Sequence, residues 1–457
     1  MKNDVIAAVC TPPGVGGIAV IRLSGADVLT VCRNVFRRKN GKPLTAKDAR
    51  LAVYGEFLRQ GEVIDDGIAV YYAAPHSFTG EDTVELSCHG GRLLQQLLLE
   101  SVFLQGARQA EAGEFSRGAF ENGKLPLSQA EAMIDLIEAE SLAKVRVCSA
   151  TARGALSTRL DALTAQLRML LASTYAYIDY PDEDLTELTA QQLQVACRDA
   201  AAALHTLCDS YHQGRAVVQG IPTAIVGKPN TGKSTLLNTL LGTDRAIVTP
   251  LAGTTRDVLQ ESAVVGQLLL RLCDTAGIRQ TEDPVERLGV ERSLRAIDQA
   301  ELLLCVFDLS RPIDEEDEAV LARVRESGKL AVAVLNKSDA RQQMPLELPQ
   351  GLFAAQYEIC AADGSGVDVL RTGLERLYLR EGFLADAGVI SNARQYAAVQ
   401  AAASAADRAV VALASGEPQD IACMDLEQAL GALCEVDARG VSTEITDTIF
   451  KRFCVGK

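Results

Sequence analysis

The sequence predicts an α/β multidomain protein. A separate α/β module comes first, followed by a discontinuous helical domain into which an open, doubly wound, mostly parallel sheet is inserted. Three observations predict this. The first 120 or so residues hold strand-like runs bounded by Gly and Pro. Helical texture occurs twice, over roughly 128–213 and again beyond about 380. Between these, short apolar runs alternate with helical segments, the signature of βαβ units. A length of 457 residues leaves room for about three domains.

In the first module, Ile18–Leu23 and Gly67–Tyr72 have strand composition. Thr83–Ser87 sets Val84 and Leu86 against Thr83 and Glu85, the alternation of a half-buried strand. Leu93–Phe103 reads as a helix. From Ser128 to Glu140, residues Ala130, Met133, Ile134 and Ile137 share a helical face, and Ser128-Gln129-Ala130-Glu131 fits a capping box. Helix continues to about Tyr177, breaks at Asp179–Asp182 and resumes from Thr189 to Gln213. After Gly220 the predicted strands are Thr223–Val226, Leu268–Cys273, Leu302–Asp308, Leu330–Asn336 and Tyr357–Ile359. Ala393–Ser415 and Cys423–Val436 are helical again. The expected divisions are 1–122 for the first module, 123–219 and 380–457 for the two parts of the helical domain, and 220–379 for the insert.

The net charge is −15, which argues against a protein that coats nucleic acid nonspecifically. The charge is uneven. Residues 1–120 carry 13 basic and 13 acidic side chains, and the one dense basic run lies there: Arg33, Arg37, Arg38, Lys39, Lys42, Lys47 and Arg50. It reads either as a solvated loop or as a phosphate-contacting patch. The twelve cysteines form no C-x-x-C pair, so a zinc ribbon is not indicated, and their scatter suits a reducing, cytoplasmic setting. No run of 18 apolar residues occurs, so no membrane span is expected.

Chemistry is concentrated in the insert. Gly227-Lys228-Pro229-Asn230-Thr231-Gly232-Lys233-Ser234 is a complete G-x-x-x-x-G-K-S between a predicted strand and a predicted helix, as a phosphate-binding loop must be. The backbone from Asn230 through Thr231, Gly232, Lys233, Ser234 and Thr235 is the candidate cradle. Lys233 can reach the β and γ phosphates, and Ser234 can hold Mg²⁺. Asp274-Thr275-Ala276-Gly277 ends a later strand and can approach Mg²⁺ and the γ phosphate. Asn336-Lys337-Ser338-Asp339 ends another. The Asp339 carboxylate can accept from guanine N1–H and N2–H₂, a donor pair that adenine lacks, which selects GTP. Asn336 is a polar base-contact candidate, and the Lys337 stem can cover the base. Thr254 and Thr255, in Gly253–Asp257, lie where a γ-phosphate-sensing threonine belongs. Cys360-Ala361-Ala362 takes the place of the usual Ser-Ala-Lys base loop, whose main contact is a backbone N–H. Ile278 follows the DTAG motif where many small GTPases have a water-orienting glutamine, so a carboxylate among Glu282, Asp283 and Glu286 must take over. Asn230 is either a loop cap or the side-chain oxygen for a monovalent cation beside the phosphates.

Beyond the insert, the chain resembles the MnmE (TrmE) family of tRNA-modifying GTPases over essentially its full length. The resemblance is carried by Ala8–Gly17, Ser77–Asp82 with Glu85, His89-Gly90-Gly91, Gly113-Glu114-Phe115, Asn122–Leu125, Ala246–Val258 and the closing Cys454-Val455-Gly456-Lys457. It implies a folate-binding-like N-terminal domain that forms a homodimer and a Ras-like G domain inserted in the helical one. It implies 5-formyl- or 5,10-methylene-tetrahydrofolate held by Arg22, Glu85, Lys124 and Lys457. K⁺ would be held by Asn230, Thr249, Leu251 and Thr254, and Mg²⁺ by Ser234 and Thr255, with Glu286 as the water-orienting carboxylate. Cys454 would act in the modification chemistry, or else anchor the segment around it. The implied reaction places a carboxymethylaminomethyl or aminomethyl group on C5 of the wobble uridine of certain tRNAs, in a heterotetramer with the FAD-dependent MnmG (GidA) protein. Pro250, Pro284 and Cys360 depart from the family pattern without removing a ligand.

Two other readings compete. A ribosome-assembly GTPase switch would call for an appended basic RNA module, but residues 380–457 carry 7 basic and 11 acidic side chains and no G-x-x-G loop. A folate-binding protein with an inert G domain conflicts with intact Lys233, Ser234, Asp274, Asp339 and Glu286.

Overall fold

The computed structural model describes residues 4–179, 190–243, 261–273, 296–340, 348–383, 388–437 and 443–456. The chain forms two compact units, 1–134 with 434–457, and 135–433.

The first unit is built on a seven-stranded sheet. Its strands are β1 (Ile6–Val9), β2 (Ile18–Ser24), β3 (Phe36–Arg38), β4 (Ala52–Arg59), β5 (Glu62–Tyr72), β6 (Thr83–His89) and β7 (Arg108–Gln109), in the order β3-β4-β5-β6-β2-β1-β7. All neighbours are antiparallel except β1 and β7. The alternation expected for Thr83–Ser87 holds from Val84 onward, with Val84 and Leu86 fully buried, but Thr83 is buried too, its hydroxyl among those of Ser24 and Thr79. Helices α1 (Val28–Arg33) and α2 (Arg92–Leu104) cover one face, where Ile21, Leu23, Phe36, Phe57, Leu98 and Val102 share a core. Helices α3 (Glu114–Glu121) and α4 (Leu127–Ile137) complete this stretch.

The capping box expected at Ser128 does not form. α4 starts one residue earlier, because the Pro126 carbonyl accepts the first helical N–H bonds, from Gln129 and Ala130. Ser128 is thereby buried within the first turn, and its hydroxyl donates to the Asp437 carboxylate. The predicted apolar face holds at Ala130 and Ile134 but runs out at Ile137, which is exposed.

In the second unit, α5 (Leu142–Ala152), α6 (Ala155–Asp179) and α7 (Ala190–Val218) precede a six-stranded sheet. The break expected at Asp179–Asp182 falls mostly outside the described residues, and α7 runs five residues past its expected end. The sheet consists of β8 (Ile221–Val226), β9 (Glu261–Val265), β10 (Leu268–Leu272), β11 (Leu302–Asp308), β12 (Leu330–Asn336) and β13 (Ala355–Glu358), in the order β13-β12-β11-β8-β10-β9. Only the β9–β10 pair is antiparallel. All seven residues of β11 are buried. Leu302, Leu304 and Val306 face one core, while Leu303, Cys305 and Phe307 face another on the opposite side. That division produces an unbroken apolar run and a doubly wound sheet. The sequence did not single out β9, a short edge strand joined to β10 through the two-residue turn Gly266-Gln267.

Helices α8 (Lys233–Thr243), α9 (Glu315–Ser327) and α10 (Val367–Tyr378) belong to the sheet layers. Helix α11 (Ala393–Ala414) packs along α7, where Tyr211 and Tyr396 stack 4.4 Å apart. It is the one described helix long and apolar enough to cross a membrane, and 44% of its most apolar window is buried. Helix α12 (Gln419–Val436) follows, and α13 (Thr443–Phe450) returns the chain to the first unit.

Phe450 ties α13 into that unit, with its ring 5.7 Å from both Phe120 and Phe453. Phe450→Ala is expected to cost about 3–5 kcal/mol of stability. Leu142→Ala, at an exposed position, should stay within about 0.5 kcal/mol. Thermal and urea midpoints of the two variants check the contrast.

Candidate functional site

The nucleotide apparatus lies at the carboxyl ends of the parallel strands, where an open α/β sheet leaves a crevice. β8 delivers the loop 227–232 to the N-terminus of α8. Gly232 has φ +98°, and a Cβ there would lie 2.1 Å from Asn336 Nδ2, so only glycine fits. Thr231 is buried and donates its hydroxyl to the Lys228 carbonyl at 3.0 Å. Lys233 Nζ donates to the carbonyls of Gly227 (2.8 Å) and Lys228 (2.7 Å). Burial lowers its pKa to about 8. Asn230 is exposed at φ +64°, at the tip of the loop. Ser234 and Thr235 follow Lys233 in the first turn of α8, under its positive dipole end.

Lys228, which motif reading passes over, holds this loop in place. It is 3% exposed, and its ammonium sits between Asp314, at 2.5 Å, and Asp317. Asp314 also N-caps α9, accepting from the Glu316 and Asp317 N–H groups, and the Lys228 bond holds its carboxyl down at about 2. The phosphate loop is therefore fastened to the start of a helix that follows β11.

The Asn336–Asp339 motif is fastened from the same place. Asn336, expected to touch the base, is buried. Its Nδ2 donates to the Thr231 carbonyl at 2.8 Å, and its Oδ1 accepts the Ala361 N–H at 2.9 Å. It braces the phosphate loop against the loop after β13. Lys337, at φ +62°, extends its Nζ to Asp308 at 2.7 Å. Burial would raise the Asp308 carboxyl, but Lys337 and both Ser310 donors outweigh it and hold it below the usual range. Arg311 lies beside the same carboxylate and reaches the Pro229 carbonyl at 3.5 Å. Asp339 is exposed on a 3₁₀ turn, Ser338–Ala340, pinned by the Ser338 N–H to the Ile359 carbonyl at 3.1 Å. Cys360 is buried next to it. The Asp363 N–H favours its thiolate, but burial and the Asp339 and Asp363 carboxylates together push the thiol up. Ala362 is exposed. Thr249, Leu251, Thr254, Thr255, Asp274, Thr275, Ala276, Gly277, Glu286 and Lys457 lie outside the described residues.

In the first unit, segments far apart in sequence meet. Arg22 on β2 faces Glu85 on β6 in register, 2.9 Å away, with its guanidinium over the rings of Phe78 (5.0 Å) and Phe115 (5.6 Å). Burial, and then the Glu85 charge, push the nearby Tyr72 phenol up. Lys124 is exposed and donates to the Pro75 carbonyl at 2.9 Å, while Asn122 Nδ2 donates to the Thr79 carbonyl at 2.8 Å. The loops Ser77–Asp82 and Asn122–Leu125 are thus tied together. Gly90 exchanges backbone bonds with Gly16 and Gly17. Val455 bridges Ala112, and Cys10 Sγ donates to the Gly456 carbonyl at 2.9 Å. Gly456, at φ +105°, leaves no room for a Cβ, which would lie 2.2 Å from the Val9 carbonyl oxygen. Anchoring falls to Phe453 and Gly456, both buried, while Cys454 between them is exposed.

Comparison with known proteins agrees with these motifs. The family model described as the GTP-binding protein TrmE N-terminus matches residues 5–124, and the MnmE helical domain model matches residues 127–454. The chain belongs to the MnmE family. Relatives named tRNA modification GTPase MnmE include those of Clostridioides difficile, 36% identical over 100% of this chain and 99% of that protein, and Geobacter sulfurreducens, 39% identical over the same shares. That of Symbiobacterium thermophilum is 38% identical over the full length of both. Among solved structures, the FeoB G-domain of Methanococcus jannaschii matches 34% of this chain and 94% of its own at 17% identity, with a TM-score of 0.24.

The family's short motifs in the first unit are largely internal fasteners. Glu114 of Gly113-Glu114-Phe115 accepts from Arg108, and Phe115 is fully buried. Cys454 is the exposed member of twelve free cysteines. Buried Cys32 and Cys148 are pushed up to about 12, far from a reactive thiolate. Lys228, Asp308, Asp314 and Asp317 are the residues that motif reading missed. Asp308 carried a usable signal, as a lone charge closing a seven-residue strand that is apolar up to it.

Lys233 supplies a test. Nucleotide phosphates stabilise its charged form, so above pH 8 binding has to take up a proton. Affinity for GDP should therefore fall by up to about tenfold per pH unit above 8. Titration with fluorescent GDP from pH 7 to 9.5 checks this, and Lys233→Gln should bind weakly with a flat profile.

Proposed function

We propose that this chain is a potassium-dependent GTPase that works with the FAD-dependent MnmG (GidA) protein. Together they add a carboxymethylaminomethyl or aminomethyl group to C5 of the wobble uridine of certain tRNAs. One observation carries the reading: an assembled phosphate loop, Lys233 and Asp339 stand in a chain matched almost end to end by the two family models. We read residues 220–379 as the G domain, inserted between helical segments 123–219 and 380–457, with 1–122 as a homodimerising folate domain. We place the activity in the cytoplasm, where its tRNA substrate is found.

Hydrolysis starts with Lys233 exchanging two loop carbonyls for the β and γ phosphates, where its charge opposes the negative charge that develops. The Asn230 side chain, exposed at the loop tip, fits a K⁺ ligand, with Thr249, Leu251 and Thr254 completing the set. Bound K⁺ would supply positive charge where other GTPases use an arginine finger. Ser234 at the helix N-terminus fits Mg²⁺, with Thr255. Glu286 orients the attacking water. Asp339 reads the guanine edge, and Asn336 and Lys337 hold the loops that present it.

In the first unit, Arg22 and Glu85 form a half-buried pair beside two aromatic rings, and Lys124 is exposed in the same unit. The carboxylate suits the N–H donors of a pterin, and cations suit a glutamate tail, so these residues fit tetrahydrofolate together with Lys457. Bound folate would supply the one-carbon unit. Cys454 offers its thiol from a backbone fixed on both sides.

Two outcomes are expected. Replacing K⁺ with Na⁺ should lower GTP turnover at least tenfold, and equal rates would remove the role of Asn230. Cys454→Ser should leave GTP turnover within about twofold of normal yet abolish wobble modification. Mass spectrometry of wobble uridines from cells carrying the variant reads this, and normal modification would reduce Cys454 to a spacer between two anchors.

A further inference from the structure

The basic run of residues 33–50 is absorbed by neither the nucleotide site nor the folate residues. Its structure separates the cations that are used internally from those that are not. Arg37 is paired with Glu56 at 2.8 Å, and Arg38 with Asp48. Asp48 is the only carboxylate between Lys39 and Leu51, and it is 8% exposed. The surface of this stretch therefore displays Lys39, Lys42, Lys47 and Arg50 with no exposed acid among them. Lys39 lies over the Tyr54 ring, 5.2 Å from its centre. The side chains of Lys42, Lys47 and Arg50 have no hydrogen bond or ion pair among the described residues. Of the acids on the neighbouring strands, Glu56 is engaged by Arg37, Asp66 by the Tyr54 hydroxyl and Asp65 by His89, while Glu62 is exposed at the β4–β5 turn.

The backbone that carries these cations is fixed. The Arg38–Asp48 pair joins the turn after edge strand β3 to the 3₁₀ turn Ala46–Asp48, which brings the Lys39–Lys42 segment beside Lys47. Arg50 adopts φ +65°, a left-handed conformation uncommon outside glycine. It is held there by its N–H to the Tyr71 carbonyl at 2.7 Å and by the bridge from Ala49 to Tyr71. Strain of this kind persists where the surrounding structure over-determines it, often at functional positions.

We infer that this surface, Lys39, Lys42, Lys47 and Arg50, is where the chain holds the phosphate backbone of its tRNA. The inference rests on the tRNA-modifying reading above. With a net charge of −15, most of the chain opposes a polyanion, so contact must be local and cationic. A-form RNA is held largely through its phosphates and shape, and that requires cations rather than base-reading side chains.

The test compares the full-length protein with Lys39→Gln/Lys42→Gln/Lys47→Gln and with the matching triple Arg variant. Binding of bulk transfer RNA is measured from 50 to 200 mM KCl, alongside GTP turnover. The Gln variant should bind at least tenfold more weakly at 100 mM salt, and its salt slope should fall by roughly one per cation removed. GTP turnover should be unchanged, and the Arg variant should bind as the unmodified chain does. Unchanged affinity and slope in the Gln variant would overturn the assignment, as would equal weakening in the Arg variant. Failure of the unmodified chain to bind tRNA at all would overturn the tRNA reading along with it. Charge-dependent retention on anionic phosphatidylglycerol vesicles, with tRNA binding unaffected, would reassign the surface to membranes.

Discussion

A strand buried on both faces can place a charge only at its end, and β11 places Asp308 there. Phe307 and Val306 before it are committed to two separate cores, so their register is fixed by packing on opposite sides at once. The carboxylate inherits that fixity. It positions Lys337 directly and lies beside Arg311, which reaches the phosphate loop at Pro229. A few residues later, Asp314 and Asp317 take Lys228. The loops at 227–232 and 336–339 are separated by about a hundred residues, yet both are referenced to one rigid element. Removing Lys228 would leave the buried Asp317 carboxylate without its cation, which is far more damaging than never having had the pair.

What was legible in the sequence follows from where information is stored. The strands Leu302–Asp308 and Leu330–Asn336 were readable because burial on both faces demands unbroken apolar runs. The nucleotide motifs were readable because backbone geometry around phosphates demands glycine at fixed spacings, and Gly232 packed against Asn336 shows why. β9 was missed because an edge strand of five residues needs little pattern of its own. The capping box at Ser128 failed for a different reason. The local pattern was satisfied, but Asp437, some three hundred residues away, offered the hydroxyl a buried partner. Asn336 shows a related limit: its place in a nucleotide motif gave no sign of the bonds its side chain makes to Thr231 and Ala361.

The first unit inverts that balance. Its motifs were recognised as strings, and the structure gives most of them a mechanical meaning. Glycines at 90 and 113 let backbone segments approach closely, and Glu114 and Asn122 satisfy specific donors and acceptors. Beside these fasteners stand the Arg22–Glu85 pair at its aromatic seat, the exposed Lys124, the cations of residues 39–50, and the Cys454 thiol. Fixing the backbone on both sides of Cys454 while leaving its side chain in solvent suits a group meant to meet something from outside.

The composition of that unit also imposes an order on its making. Residues 1–134 are synthesised well before residues 434–457, with about three hundred residues between them. At roughly 5–20 residues per second, some 15–60 seconds separate the two on the ribosome. Throughout that interval the seats for Phe450, Phe453 and Gly456 stand open, so the sheet exists without its seal. A chain that stalls anywhere in the nucleotide domain would thus carry an unsealed first unit with exposed apolar surface, the kind of surface that chaperones and proteases recognise. Closure of the unit by its distant segment doubles as a check that everything between has been translated.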